Sequence, residues 1–377
     1  MSEQPATDTG RATNPLVTSE NRLKLGVFAV NVSGGASMTD MPNTIKVEWD
    51  ESVAIAQAAE RAGLEAIIPV ARWKGMGGAT NFNHRNFETL TWAAGLAAVT
   101  QRISVFATVH IPTIHPVRAA KEAATIDHIS GGRFALNMVA GWNENEIGMF
   151  GVPQRPHDER YELADDWISL CKALWTSDEE FDWNGEFFAS PAAYSSPQPI
   201  QKPGPVLMSA GNSGRGQHFA AKHTDLNFVV APDVETAGSI AASVKRLAED
   251  EYDRQIQVFG QAYIVCRDTE AEAKEFKELY VQQRGDWEGV RNLLDVLIPN
   301  SQSALGEGWT AMAANLIAGY GAIPLVGTPE QVVEGMGKFA DAGLDGITIT
   351  WVDYHAGLEQ FDQVLRPMLI DAGIRSS

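Results

Sequence analysis

Apolar residues in this chain come in short blocks separated by longer amphipathic stretches. Consecutive apolar positions recur at Leu23–Val30 (L-K-L-G-V-F-A-V), Ala66–Val70, Ile103–Val109, Phe134–Val139, Val206–Ala210, Leu226–Val230, Gln257–Cys266 and Gly346–Trp351. Runs of this length that are apolar throughout predict strands covered on both faces, as in a parallel sheet. Between them lie helical patterns. Leu90, Ala93, Ala94 and Ala97 repeat at helical spacing within Phe87–Thr100, and Gly63 stops a helix over Glu48–Gly63. Further helices are predicted at Val117–Ser130, Arg160–Trp175, Gly214–His223, Thr236–Asp253, Glu270–Gln283 and Leu358–Ile370. Thr328-Pro329-Glu330 caps another that runs to Ala342, with proline in its first turn.

About eight strands, each followed by a helix, predict one (β/α)8 TIM barrel over residues 21–377 rather than two domains. Two stretches break the rhythm. Residues 177–203 are rich in Pro, Ser and aromatics, and W-N-G-E-F-F predicts a hairpin-like turn there. Residues 284–326 are too long for an ordinary loop. Each reads equally well as a cover for the barrel mouth or as a decoration. Residues 1–20, rich in Ser, Thr, Glu and Pro, are expected to form a mobile tail without the apolar centre of a secretion signal.

Within this pattern, Ala124–Trp142 (A-T-I-D-H-I-S-G-G-R-F-A-L-N-M-V-A-G-W) stands out. A helix ends on Gly131-Gly132, a strand follows at once, and the strand stops at a loop opening with Gly141-Trp142. Asn137 sits inside that strand, where an unpaired amide costs roughly 1–3 kcal/mol. Neighbouring backbone can satisfy such an Asn. In a barrel, however, the loop end of a strand faces the active-site mouth.

Composition narrows the partners. The formal net charge of -19 over 377 residues disfavours nucleic acid and anionic membrane surfaces. No stretch is apolar for the length of a membrane span. Cys171 and Cys266 are far apart and the eight histidines are scattered, so neither a disulfide framework nor a metal site is expected, and the cytoplasm is the expected compartment.

HExxH and G-x-S-x-G are absent. Gly335-Met336-Gly337-Lys338-Phe339-Ala340 fits the form of a dinucleotide fingerprint but falls inside a capped helix, so no nicotinamide module is expected. Ser209-Ala210-Gly211-Asn212-Ser213-Gly214 follows a strand and opens a helix, which suits either a phosphate on backbone amides or an ordinary serine N-cap. Arg160 and Tyr161, at another helix start, read as phosphate or ring contacts, or as a solvated first turn.

The block T-I-D-H-I-S-G-G-R-F-A-L-N-M-V-A-G-W-N-E-N-E, then H-D-E-R-Y, S-A-G-N-S and V-G-T-P-E-Q-V resembles the bacterial-luciferase-like flavin-dependent monooxygenases. Within that family K-G-M-G-G and A-G-L-A-A-V-T are most similar to the members that act on pyrimidines. The likeness spans about Leu23 to Ile370 and weakens across residues 231–326. It implies a barrel holding FMN at the C-terminal ends of its strands. Ala71, Arg72, Asn137, Glu146, Arg160, Tyr161 and Ser213 would bind the flavin, with Arg160 and Ser213 nearest its phosphate. Thr108 and Asn137 would flank the place where oxygen reacts, and Trp142 would wall it. Ala71 and Arg72 stand where the pyrimidine members carry Ile and Lys, and His110 replaces a small residue, which bears on substrate more than on cofactor.

The activity so implied is oxygenation and cleavage of a small electron-poor substrate, a pyrimidine-like heterocyclic amide first, with reduced FMN and O2 as co-substrates. Reduced FMN would come from a separate NAD(P)H:flavin reductase, and a homo-oligomer is expected. Alternatives are a sulfone, alkanesulfonate or dehalogenating monooxygenase of the same family, for which Asn31–Gly35 (N-V-S-G-G) resembles the dimethylsulfone enzymes. A deazaflavin-dependent oxidoreductase and a flavin-storage protein are the more distant readings.

Overall fold

The aliphatic blocks become strands in the computed structural model, which describes residues 11–298 and 301–376. In chain order they are β1 (Lys24–Phe28), β2 (Ala66–Ile68), β3 (Ser104–His110), β4 (Phe134–Val139), β5 (Phe181–Asn184), β6 (Ala189–Ala193), β7 (Val206–Ser209), β8 (Leu226–Phe228), β9 (Gln257–Cys266), β10 (Ile323–Gly327) and β11 (Gly346–Thr350). Eight of them close into a parallel ring in the order β1-β2-β3-β4-β7-β8-β9-β11, with β11 pairing back to β1. This is the (β/α)8 barrel that the alternating pattern predicts.

Because side chains alternate faces along a strand, every second residue enters the barrel. Phe106, Ala135, Met208, Phe228 and Phe259 form part of its interior plug. Two residues further along their strands, Thr108, Asn137 and Gln261 face the same interior one layer nearer the C-terminal ends. The opposite faces, including Val105, Leu136, Leu207 and Ile347, join the main core beneath the surrounding helices. Helix Pro116–Ser130 shows how sharply the local sequence sets boundaries: Pro116 occupies its first turn and Gly131 ends it at φ 63°.

The two irregular stretches differ in role. Residues 177–203 carry the antiparallel β5–β6 hairpin, which packs on the flank of helix His157–Thr176 through Trp183 Nε1 donating to Asp166 at 2.9 Å. Residues 284–326 fold into helices Trp287–Leu297, Ser301–Leu305 and Gly308–Gly319 and then β10. Strand β10 pairs with the second half of β9, from Ile323↔Ala262 to Gly327↔Cys266, outside the closed ring. This segment shares a second apolar cluster with Met38, Phe82 and Tyr263 over the barrel mouth.

The chain before β1 departs from a mobile tail. Residues 1–10 lie outside the described residues, but Asn14 and Leu16 are fully buried. Leu16 joins the barrel plug, and Asn14 Nδ2 donates to Gln201 Oε1 at 3.1 Å. A short Pro-led helix, Pro15–Thr18, thus stoppers the barrel end opposite the mouth; a Leu-Val pair in a polar segment gives little sign of this beforehand. Among the described residues no helix is long and apolar enough to cross a membrane.

Candidate active site

Loops after β2, β4, β7 and β8, the inner faces of β3 and β9, and the 284–326 segment enclose a cavity of about 880 Å³ at the C-terminal ends of the strands. Its floor carries the polar side chains of Thr108, His110, Asn137 and Gln261, while Ala71, Arg72 and Trp142 line it from the loops. Thr108 and Asn137 are register partners on β3 and β4. The Thr108 hydroxyl donates to the Pro69 carbonyl at 2.6 Å and accepts from Asn137 Nδ2 at 3.3 Å. Its one proton is therefore committed, so Thr108 holds the amide and Asn137 presents it. Asn137 Oδ1 is buried without a partner, and a primary amide keeps a second N–H beyond the bond to Thr108. Such an orphaned atom marks a place where a ligand group is wanted.

Arg72 and Glu146 form a buried pair beside this floor, their side chains 2% and 0% exposed, with Nη1 and Oε2 at 3.5 Å. Glu146 Oε1 also accepts from the backbone amides of Trp73 and Lys74 at 2.8 and 3.0 Å, which pins the loop after β2. Arg72 lies over the Trp142 ring, 4.8 Å from its centroid, and donates to the Tyr320 hydroxyl. Glu146 lines neither this cavity nor the smaller one described next, and its contacts are with Arg72 and the loop. His110, 3% exposed, is held down to about 4 from the usual 6.5 by burial, against the attraction of Glu146 and with the repulsion of Arg72. The imidazole is therefore neutral at pH 7, and its Nδ1 has no partner.

A second cavity of about 360 Å³ adjoins the first and shares Val139, Trp142 and Ala210 with it. Arg160, Tyr161 and Ser213 line it. Ser213 is the N-cap of helix Gly214–His223 and accepts from the Gly216 amide at 3.1 Å, so the capping reading of the sequence is correct. The same helix start leaves its first backbone amides without intrahelical partners beside the cavity end, and such a terminus favours an anion. Gly211 makes the close approach possible: a Cβ there would meet Gly216 Cα at 2.6 Å and the Tyr161 hydroxyl at 2.9 Å. Gly141, at φ 94°, turns its carbonyl to Arg160 Nη1, while Arg160 Nε stays buried without a partner.

The structure thus brings Ala71, Arg72, Thr108, Asn137 and Trp142 around the larger cavity and Trp142, Arg160, Tyr161 and Ser213 around the smaller. Gln261 was missed although it carries the same signal as Asn137, an amide inside an apolar strand; its Nε2 is buried and unpartnered. Tyr320 was missed because nothing local marks it, a non-glycine residue at φ 57° ending helix Gly308–Gly319. Gly335–Ala340 lies inside helix Pro329–Asp341, which is capped at Thr328, well past the turn that joins it to β10. Of the N-V-S-G-G stretch, Asn31 is a structural clamp, bonded both ways to the backbone of Val70.

The sequence pattern of the luciferase-like monooxygenases matches residues 23–346. The chain belongs to that family, and is an oxidoreductase of the flavin-dependent monooxygenase type. It is 32% identical to the pyrimidine monooxygenase RutA of Yersinia enterocolitica over 92% of this chain and 95% of that protein. It is 28% identical to the FMNH2-dependent dimethylsulfone monooxygenase of Pseudomonas putida, again over 92% and 95%. Among solved structures, riboflavin lyase RcaE superposes with a TM-score of 0.83 at 22% identity, covering 94% of this chain and 93% of its own. Long-chain alkane monooxygenase LadA superposes with 0.82 at 22% identity over 93% and 92%. These likenesses establish the shared fold.

Proposed function

We propose that this protein is the oxygenase half of a two-component system, using reduced FMN and O2 to oxygenate and cleave a small electron-poor substrate, a pyrimidine-like heterocyclic amide first. The observation that carries this reading is the pair of joined cavities. One has a helix start and Arg160 suited to a phosphate, and the other has an apolar body with unpartnered polar atoms on its floor. A flavin mononucleotide has matching parts: an anionic end, an apolar ring edge and a polar ring edge. Bound there, reduced FMN supplies the two electrons that activate O2, one oxygen atom entering the substrate and the other leaving as water.

The chain's own residues then have distinct tasks. Arg160, Tyr161, Ser213 and the start of helix Gly214–His223 take the phosphate end. Ala71, Arg72 and Trp142 wall the ring, and Glu146 fixes Arg72 in place. Asn137, held by Thr108, offers its second N–H to the reacting edge, stabilising negative charge that develops there, while its carbonyl can accept from an N–H of the bound group. Neutral His110 narrows the same region and adds no competing cation. Electrons arrive from a separate NAD(P)H:flavin reductase, since the sequence has no nicotinamide module.

The support for a pyrimidine-like amide is the 32% likeness to a pyrimidine monooxygenase. A neutral sulfone is the second reading, favoured by the 28% likeness to the dimethylsulfone enzyme. The test is single-turnover oxygenation with pre-reduced FMN, labelled O2 and each substrate class, read by mass spectrometry. Asn137→Ala should retain measurable FMN binding and lose labelled product. Unchanged product yield in that variant would remove Asn137 from the reaction, and absence of FMN binding in the wild type would remove the cofactor.

A further inference from the structure

One wall of the large cavity takes no part in the flavin contacts just assigned. Leu294 and Leu297 reach it from helix Trp287–Leu297, Met312 and Leu316 from helix Gly308–Gly319, and Val230 from the loop after β8. Val230, Leu297 and Met312 remain 45%, 48% and 42% exposed, so large apolar side chains converge on a single opening without covering one another. Exposed apolar groups gathered in one place mark a surface that something apolar covers.

Charge at the site points the same way. Among the described residues lining the cavity, Arg72 is the one permanently charged side chain. Its charge is offset by Glu146 and its Nη atoms are engaged by Glu146 and the Tyr320 hydroxyl over the Trp142 ring, although its Nε is buried without a partner. His110, the other basic lining group, is neutral at pH 7. An anion entering would shed its hydration and find in exchange one cation whose charge Glu146 already offsets. Gln261, by contrast, offers a buried and unpartnered amide Nε2, a donor suited to a neutral carbonyl or sulfonyl oxygen.

We propose that the substrate is an uncharged molecule with a polar, reacting end directed to Asn137 and Gln261 and an apolar body seated on the Leu294–Leu297–Met312–Leu316 wall. This rests on the oxygenase reading above and narrows it. Heterocyclic amides or sulfones that carry an alkyl or aryl group fit; alkanesulfonates do not.

The experiment titrates the full chain, loaded with FMN, with 5-alkyluracils from methyl to octyl and with n-alkanesulfonates of the same lengths, following the flavin absorbance. For the neutral series affinity should rise roughly fourfold per methylene until the wall is covered. An alkanesulfonate of equal length should bind roughly tenfold or more weakly. In the double variant Leu297→Asn/Met312→Asn the chain-length dependence should flatten while the FMN dissociation constant, measured separately, stays in the wild-type range. Affinities independent of chain length, or sulfonates binding as tightly as uracils, would overturn the substrate class with FMN still bound and the oxygenase reading intact. Failure of the wild type to bind FMN would instead overturn the oxygenase reading and this inference with it. Should the double variant impair only delivery of reduced flavin from a reductase, the wall is a docking face and the proposal fails.

Discussion

Glu146→Gln keeps the shape of the side chain and an oxygen for the Trp73 and Lys74 amides, but removes the charge facing Arg72. At 3.5 Å and an effective dielectric constant of about 20, that charge pair is worth roughly 5 kcal/mol of Coulomb attraction. Both groups are buried, so the lone guanidinium left behind cannot turn to water, and the expected loss of unfolding free energy is about 3–5 kcal/mol. Arg72→Met should also destabilise, because it leaves the carboxylate without its counter-charge. The double variant Arg72→Met/Glu146→Gln has no uncompensated charge, and should recover about 2–3 kcal/mol relative to the sum of the singles. Urea unfolding of the four proteins gives the cycle. His110 supplies an independent readout by NMR titration. Losing Glu146 removes an attraction that raises the imidazole pKa and should lower it further, whereas losing Arg72 removes a repulsion and should raise it. Single variants each costing less than about 1 kcal/mol, or a double variant equal to their sum, would refute a tightly coupled pair beside the larger cavity.

The depressed His110 pKa also makes stability depend on pH. Below pH 6.5 the unfolded imidazole takes up a proton that the folded one refuses until about pH 4, so stability should fall by about 3 kcal/mol as pH drops through that window and level off beneath it. His110→Asn should make the profile shallower there, leaving the part due to His223, which burial also holds below its ordinary value; an unaltered profile would remove His110 as a source. Asp165, held near 2 by its hydrogen bond to His223, adds its own loss only below about pH 4, which keeps the two effects separable. Ser213→Ala should cost about 1 kcal/mol of stability through the lost N-cap, and should weaken FMN more than riboflavin. Equal weakening of both in a fluorescence titration would place the phosphate elsewhere.

Much of the fold was legible because hydrophobic burial imposes a period. A strand covered on both faces must be apolar at consecutive positions, so all eight barrel strands could be read from the chain, and capping chemistry at Gly131 and Thr328 marked helix ends. Asn137 was legible as chemistry for the converse reason, an amide in an apolar strand being costly unless something pairs with it. Strand β10 was not, since it lies outside the ring and reads IPLVG with alternate burial inside a long helical segment.

The sequence by itself determined which residues would form the eight ring strands and most helices between them, and marked Asn137 as a polar group set among apolar ones. Tertiary structure alone decided who meets whom. Arg72 and Glu146 lie on loops after different strands, Tyr320 belongs to a segment far along the chain, and the wall over the mouth joins two helices whose facing sides no local period connects. Local patterns report burial, which acts on each residue where it stands; pairing of charges and the shape of a cavity depend on distances that only closure of the barrel fixes.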